Sequence, residues 1–189
     1  MKRLQNENHK EMIGPKRNGS RGASAVEMAI ILPILVMMVF GAIDFGRLFH
    51  ARLIMTNVAR EGASLASRDI QPASQLITML QAGSTPLDMV THGKIFIWRI
   101  KAGVSRRSPY PTIDHTASDE DGSLIVNSTI GAGKPNLGLD SDVYQHLIFD
   151  TGNAAADIGD ITVVEVFYQY RPITPVVIGN KVLSSRAVF

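Results

Sequence analysis

The chain has 189 residues, 45% of them hydrophobic, and 19 lysines and arginines against 17 aspartates and glutamates leave a net charge of +2. That suits one modest domain plus an anchor and gives no charge-based reason to bind nucleic acid. With no cysteine, a disulfide framework, a thiol nucleophile and cysteine-based zinc or iron–sulfur sites are excluded, so any outer domain stands on its hydrophobic core.

Residues 1–22 carry Lys2, Arg3, Lys10, Lys16, Arg17 and Arg21 against Glu7 and Glu11, and run through Asn18-Gly19-Ser20 to Gly22. The polar residues 1–20 cannot bury a core and are expected to stay disordered, as part of a leader that runs to Gly22. Residues 23–43 have the length of a transmembrane helix, about 20 residues at 1.5 Å each against a hydrocarbon core of about 30 Å. Glu27 is the one ionisable residue in that run. A carboxylate inside a span costs about 3 kcal/mol on insertion scales, so Glu27 reads as a functional residue with a partner. Pro33 removes a donor and frees the carbonyl of Ala29, which predicts a kink or local melting. Beyond the span Arg47 and Arg52 partly offset Asp44, and the basic excess before it places the amino terminus in the cytoplasm and the remainder across the membrane.

Residues 44–68 keep helical periodicity, with Phe45, Leu48, Met55, Ala59, Gly62 and Ala66 on one face and His50, Asn57, Glu61, Ser64 and Arg68 on the other. An amphipathic helix continuing the span is expected. The small residues Ala59, Gly62, Ala63 and Ala66 would let a sheet approach closely. Pro72 and Gly83-Ser84-Thr85-Pro86 bracket a short helix over 74–81. Four runs rich in β-branched and aromatic residues predict strands at 94–101, 123–130, 161–171 and 181–189. In the third, Val164, Val166, Tyr168 and Tyr170 alternate with Glu165, Gln169 and Arg171, the pattern of a half-buried antiparallel strand. Segments 105–122 and 131–160 read as long loops, with a helical turn or two at 142–149. The expected fold class is α+β, a long N-terminal transmembrane-to-amphipathic helix packed on a small antiparallel β-sheet head domain over 69–189.

A basic leader ending in glycine, a small residue after it and a glutamate five positions past the glycine resemble a class III, pilin-type signal peptide. More closely, Arg21-Gly22-Ala23-Ser24-Ala25-Val26-Glu27-Met28-Ala29 with Leu32-Pro33, then Asp44-Phe45-Gly46-Arg47 and Asn57-Val58-Ala59-Arg60-Glu61-Gly62-Ala63, resemble the TadE-like minor pseudopilins of the tight-adherence (Tad/Flp, type IVc) pilus system. The run Val164-Glu165-Val166-Phe167-Tyr168-Gln169-Tyr170-Arg171-Pro172-Ile173-Thr174-Pro175 is similar to the last strands of that family. Where the family usually has an aromatic after the glutamate, this chain has Met28. The resemblance implies cleavage by an inner-membrane prepilin peptidase between Gly22 and Ala23, with Ala23 as the new amino terminus. It also implies pairing of Glu27 with the freed amine of a neighbouring subunit. The implied partners are the peptidase, other Tad pseudopilins, the major Flp pilin, the inner-membrane assembly platform and the lipid bilayer. The implied role is structural: Flp pilus assembly, with adhesion and biofilm formation following from it, by a single-pass protein of the bacterial inner membrane with a periplasmic head. No cofactor is implied.

Other constellations point to less. Asp150-Thr151-Gly152 has the local form of an aspartic-protease motif, but that chemistry needs two carboxylates sharing a proton, and Asn153 follows where Ser or Ala is usual. Asp119-Glu120-Asp121, Asp140-Ser141-Asp142 and the acidic stretch 150–160 supply oxygen ligands without EF-hand spacing, and His9, His50, His92, His115 and His146 show no metal-binding pairing. Neither a metal nor a catalytic set is expected. Arg106-Arg107 reads as a solvated basic pair and Trp98 as core. Two other functions compete with the pilus role: an uncleaved single-span inner-membrane anchor whose outer domain binds a ligand or partner protein, and a secreted enzyme with an ordinary signal peptide. No small-x-small cleavage site clear of the apolar run supports the second of these.

Overall fold

The computed structural model describes residues 19–149, 159–174 and 179–189. The leader up to residue 18, the Asp150-Thr151-Gly152 motif with Asn153, and Pro175 lie outside the described residues. The chain divides into two compact units, one ending at Phe40 and one spanning Gly41–Phe189. The first helix, α1 (Gly19–Ser67), belongs to both, and Pro33 lies inside it.

In the first unit every residue over 22–40 is exposed. Val26, Ile30, Ile31, Leu35, Met38 and Phe40 lie on all sides of the helix, each more than 40% accessible. A helix that is apolar all round and exposed among the described residues suits another apolar medium, which is what a bilayer supplies.

The second unit is an antiparallel sheet with helical and loop layers on its two faces. After α1 come α2 (Ala73–Gly83), α3 (Met89–His92), β1 (Gly93–Lys101), β2 (Thr112–Asp121), α4 (Ser141–Leu147), β3 (Ile161–Tyr170) and β4 (Lys181–Val188). The strand order is β2-β1-β3-β4, and all neighbours are antiparallel. On one face Ile95 and Ile97 of β1, Val164 and Val166 of β3 and Leu183 of β4 pack against Ala51, Met55, Val58, Ala59 and Ala63 of α1, with Leu76, Ile77 and Leu80 of α2 completing the layer. The predicted alanine-rich face therefore meets a sheet. Gly62 shows why small residues are needed: a Cβ there would come 2.7 Å from Leu80 Cδ1 and 3.3 Å from Val164 Cγ1. The buried stripe is rotated from the expected one at its start, since Phe45 is 53% exposed and stacks edge-on against Phe49 with centroids 4.7 Å apart.

Two strand expectations are corrected. Residues 123–130 form no strand, although Leu124-Ile125-Val126 carries strong β-propensity. They cross the second face of the sheet, where Ile130 joins Leu139, Leu147, Val163 and Ile100 in a second core cluster, and Ile125 is left fully exposed. The strand that pairs with the free edge of β1 is instead β2, drawn from the segment read as a loop. Its sequence, Thr-Ile-Asp-His-Thr-Ala-Ser-Asp-Glu-Asp, is too polar to signal a strand. Backbone pairing rather than side-chain burial holds it there. The register shifts opposite Trp98, where Ser118 Oγ accepts from Arg99 N at 3.1 Å in place of a ladder bond.

The third correction concerns β3. Its even-numbered residues face α1 as expected, but the other face is also covered, so Val163, Glu165 and Phe167 are buried. This strand lies at the centre of two cores. Trp98, expected in the core, is half-buried against the second cluster, and its indole Nε1 donates to Ser128 Oγ at 2.8 Å.

Candidate functional site

The residues predicted for processing and assembly sit in one short stretch of α1. Gly22 and Ala23 are helical and exposed, and a Cβ added at Gly22 would meet no heavy atom within 4 Å. Nothing in the described chain therefore requires glycine at that position. Glu27 is likewise exposed, one helical turn beyond Ala23, so the two residues share a face of the helix.

Sequence reasoning passed over a second group, and the structure assembles it from two distant motifs. Asp44 follows the apolar run directly and is fully buried, and its Oδ1 accepts from Ile173 N at 2.8 Å. Its Oδ2 accepts from Thr174 N at 2.7 Å and from the Thr174 hydroxyl. The Tyr170 hydroxyl donates to the Asp44 carbonyl oxygen at 2.8 Å, and Arg47 Nη1 lies 3.9 Å from Oδ1. Burial acts to raise the Asp44 pKa, but it is outweighed by the hydrogen bonds from Thr174 and Ile173 with the nearby Arg47 charge, so the carboxyl stays below its ordinary 3.8. The carboxylate thus latches the segment after β3 onto α1. Both partners belong to motifs already singled out, Asp44-Phe45-Gly46-Arg47 and Tyr170-Arg171-Pro172-Ile173-Thr174. The missed signal was that an acid next to an apolar run needs donors as much as a counter-charge.

Among the described residues Glu165 is the other buried carboxylate, at 1% accessibility. It accepts from the Ser128 and Thr129 hydroxyls and from Thr129 N, which lies 3.1 Å from both of its oxygens. Ser128 Oγ in turn accepts from Trp98 Nε1 and from Ile130 N at 2.9 Å, while Lys134 Nζ donates to the Ser128 carbonyl. This network ties the segment 123–130 to the sheet centre, a structural role with no reacting atom held near it.

Among the described residues the acidic runs do not gather. Glu120 pairs with Lys94 at 3.1 Å, Asp121 accepts from Gln81 Nε2 at 3.2 Å, and Asp140 pairs with Arg186 at 3.2 Å. Among the described residues no group of three or more His, Asp or Glu side chains is placed to hold a metal. Arg106, Arg107 and His115 are exposed.

An apolar helix of spanning length attached to an α+β head fits a single-pass membrane protein. Residues 22–64 match the family model described as TadE-like protein, so this segment is TadE-like, as its motifs led us to expect, and the match supports involvement in a Tad pilus system. The match takes in Gly22, Glu27, Asp44 and Gly62 and leaves the rest of the head unmatched. No curated protein and no solved structure matches the chain.

Proposed function

We propose that this protein is a minor pseudopilin of a Tad-type pilus machine, cleaved between Gly22 and Ala23 by a prepilin peptidase and contributing structurally to Flp pilus assembly. The observation that carries the proposal is the TadE-like stretch 22–64, in which Gly22 and Glu27 are exposed on an apolar helix although nothing among the described residues calls for either. Their demand then comes from outside: a peptidase that needs an unencumbered bond, and a neighbouring subunit that needs a carboxylate. Cleavage requires the first turn of α1 to unwind locally, which a glycine makes easier. It also creates the Ala23 amine. Because Ala23 and Glu27 share a face, two neighbouring helices can offer each other amine and carboxylate, and a charge-assisted pair of this kind is stronger in lipid than in water. Past the apolar run, exposed Phe45, Phe49 and Leu53 extend an apolar stripe on the side away from the sheet, as suits a helix entering a bundle. Adhesion and biofilm formation follow from the assembled fibre, and the head lies on the periplasmic side of the inner membrane.

Mass spectrometry of the mature amino terminus in the native host tests the first step. Ala23 is expected, and Met1 would instead mark an uncleaved anchor. Gly22→Leu is expected to leave the precursor unprocessed and to abolish pilus assembly, whereas Glu27→Ala leaves cleavage intact but blocks assembly. Normal pili from either variant would refute the mechanism.

A further inference from the structure

Between α1 and the ends of α3 and β3 the head carries a cleft that neither cleavage nor helix pairing uses. It has a volume of about 470 Å³ and is lined by Gly46, Arg47 and His50 of α1, His92 at the end of α3, and Tyr168 and Arg171 at the end of β3, among others. Along α1, Gly46, Arg47 and His50 follow the end of the apolar run at Ile43 within about 5–10 Å of helix rise, the depth of the lipid headgroup layer. We propose that this cleft binds the phosphate of an anionic phospholipid headgroup and so seats the head on the membrane surface.

The chemistry of the lining supports that ligand. The cleft presents two guanidinium groups and two imidazoles, and no carboxylate lines it. Two acids lie beside lining residues: Asp44 accepts from the 173–174 backbone and pairs with Arg47 at 3.9 Å, and Asp88 accepts from Thr91 N at 3.0 Å and lies 3.4 Å from His92. Among the described residues, no ion pair engages Arg171. Burial and the Asp88 charge raise the pKa of the Tyr168 phenol while Arg47 and Arg171 oppose them, so both guanidinium groups lie within electrostatic reach of one ring. Planar, fork-like donors match a phosphate diester bidentately, and a tyrosine beside them is at home where apolar and wet surfaces meet. Gly46 adds an independent observation. Glycine inside a helix costs about 1 kcal/mol relative to alanine, yet a Cβ at Gly46 would meet nothing within 4 Å. Its absence keeps the helix backbone open at the cleft, where a bound group can approach closely.

The proposal rests on reading residues 23–43 as a span, and the experiment separates the two. Full-length protein expressed in membranes is first tested for extraction by alkaline carbonate, and release into the soluble fraction would refute the span itself. Protein retained in membranes is then purified in detergent and titrated with short-chain phosphatidylglycerol, matched phosphatidylcholine and inorganic phosphate, read by thermal unfolding and by lipid retained in native mass spectrometry. Phosphatidylglycerol is expected to raise the Tm and to be retained at least tenfold more than phosphatidylcholine. Arg171→Gln, which breaks no ion pair among the described residues, and Gly46→Leu, which fills the cleft, should each reduce that preference at least fivefold while keeping the native circular dichroism. Equal retention of the two lipids, or a preference unchanged in both variants, would overturn the proposal. Protection by inorganic phosphate at the same concentration as phosphatidylglycerol would also overturn it, because the site would then be one for a free anion.

Discussion

The stretch 22–40 and the head from residue 41 onward each hold a carboxylate in an unusual place, and they treat it in opposite ways. Glu27 is exposed on an apolar helix, with its donor to come from another subunit on our reading. Glu165 and Asp44 are buried at 1% and 0% accessibility, and each takes its hydrogen bonds from the same chain. A carboxylate satisfied internally is part of the fold, whereas one left on an apolar surface is part of an interface. The stability of the head and the competence of the helix to assemble should therefore vary independently.

The largest effect that distinguishes the two regions is expected from Glu165→Ala. Removing the acceptor strands the Thr129 amide and the Ser128 and Thr129 hydroxyls beneath the 123–130 segment, at a cost of about 3 kcal/mol. Thermal unfolding of the full chain in detergent should register that loss, while Glu27→Ala should leave the head transition unchanged. Equal losses from both would dissolve the distinction.

Gly62→Val comes next, at about 2 kcal/mol, because the added methyl groups enter the space held by Leu80 and Val164. Denaturant unfolding gives the cost directly. A neutral result would mean that the α1–sheet spacing is not set by its small residues.

The smallest effect is one of pH. Folding lowers the Asp44 pKa below its ordinary 3.8, so the unfolded chain binds the proton more readily. Its contribution to stability is complete above that ordinary value and is lost as pH falls from there through the lowered folded value. Between neutral pH and pH 5 Asp44 should add no pH dependence to the Tm, and below pH 4 the wild type should lose stability more steeply than Asp44→Asn. Parallel curves for the two proteins would remove the latch from the account.

How much of this was legible in the chain depends on whether the cause was local. The apolar run, its one acid, the α1 periodicity and the strands β1, β3 and β4 are written in consecutive residues, and each was read close to its observed bounds. The misassigned pair, 123–130 and β2, is instructive because propensity pointed to the wrong segment of the two. Leu124-Ile125-Val126 has the side chains of a strand but crosses a sheet face, while polar Thr112–Asp121 becomes a strand because the backbone of β1 had a free edge to fill. Side-chain preference spans about 1 kcal/mol for a residue in a strand, and unpaired backbone at a sheet edge outweighs it.

The sequence by itself determined the membrane-length helix, the placing of Glu27 within it, and the α+β character of the head. Each of these depends on the type and spacing of neighbours along the chain. Only the tertiary structure decided what the acids do. Asp44 meets Ile173 and Thr174 at separations of 129 and 130 residues, and Glu165 meets Ser128 and Thr129 at 37 and 36. A buried carboxylate is identified by its donors, and donors that far away come within hydrogen-bond reach only when the sheet has closed between them.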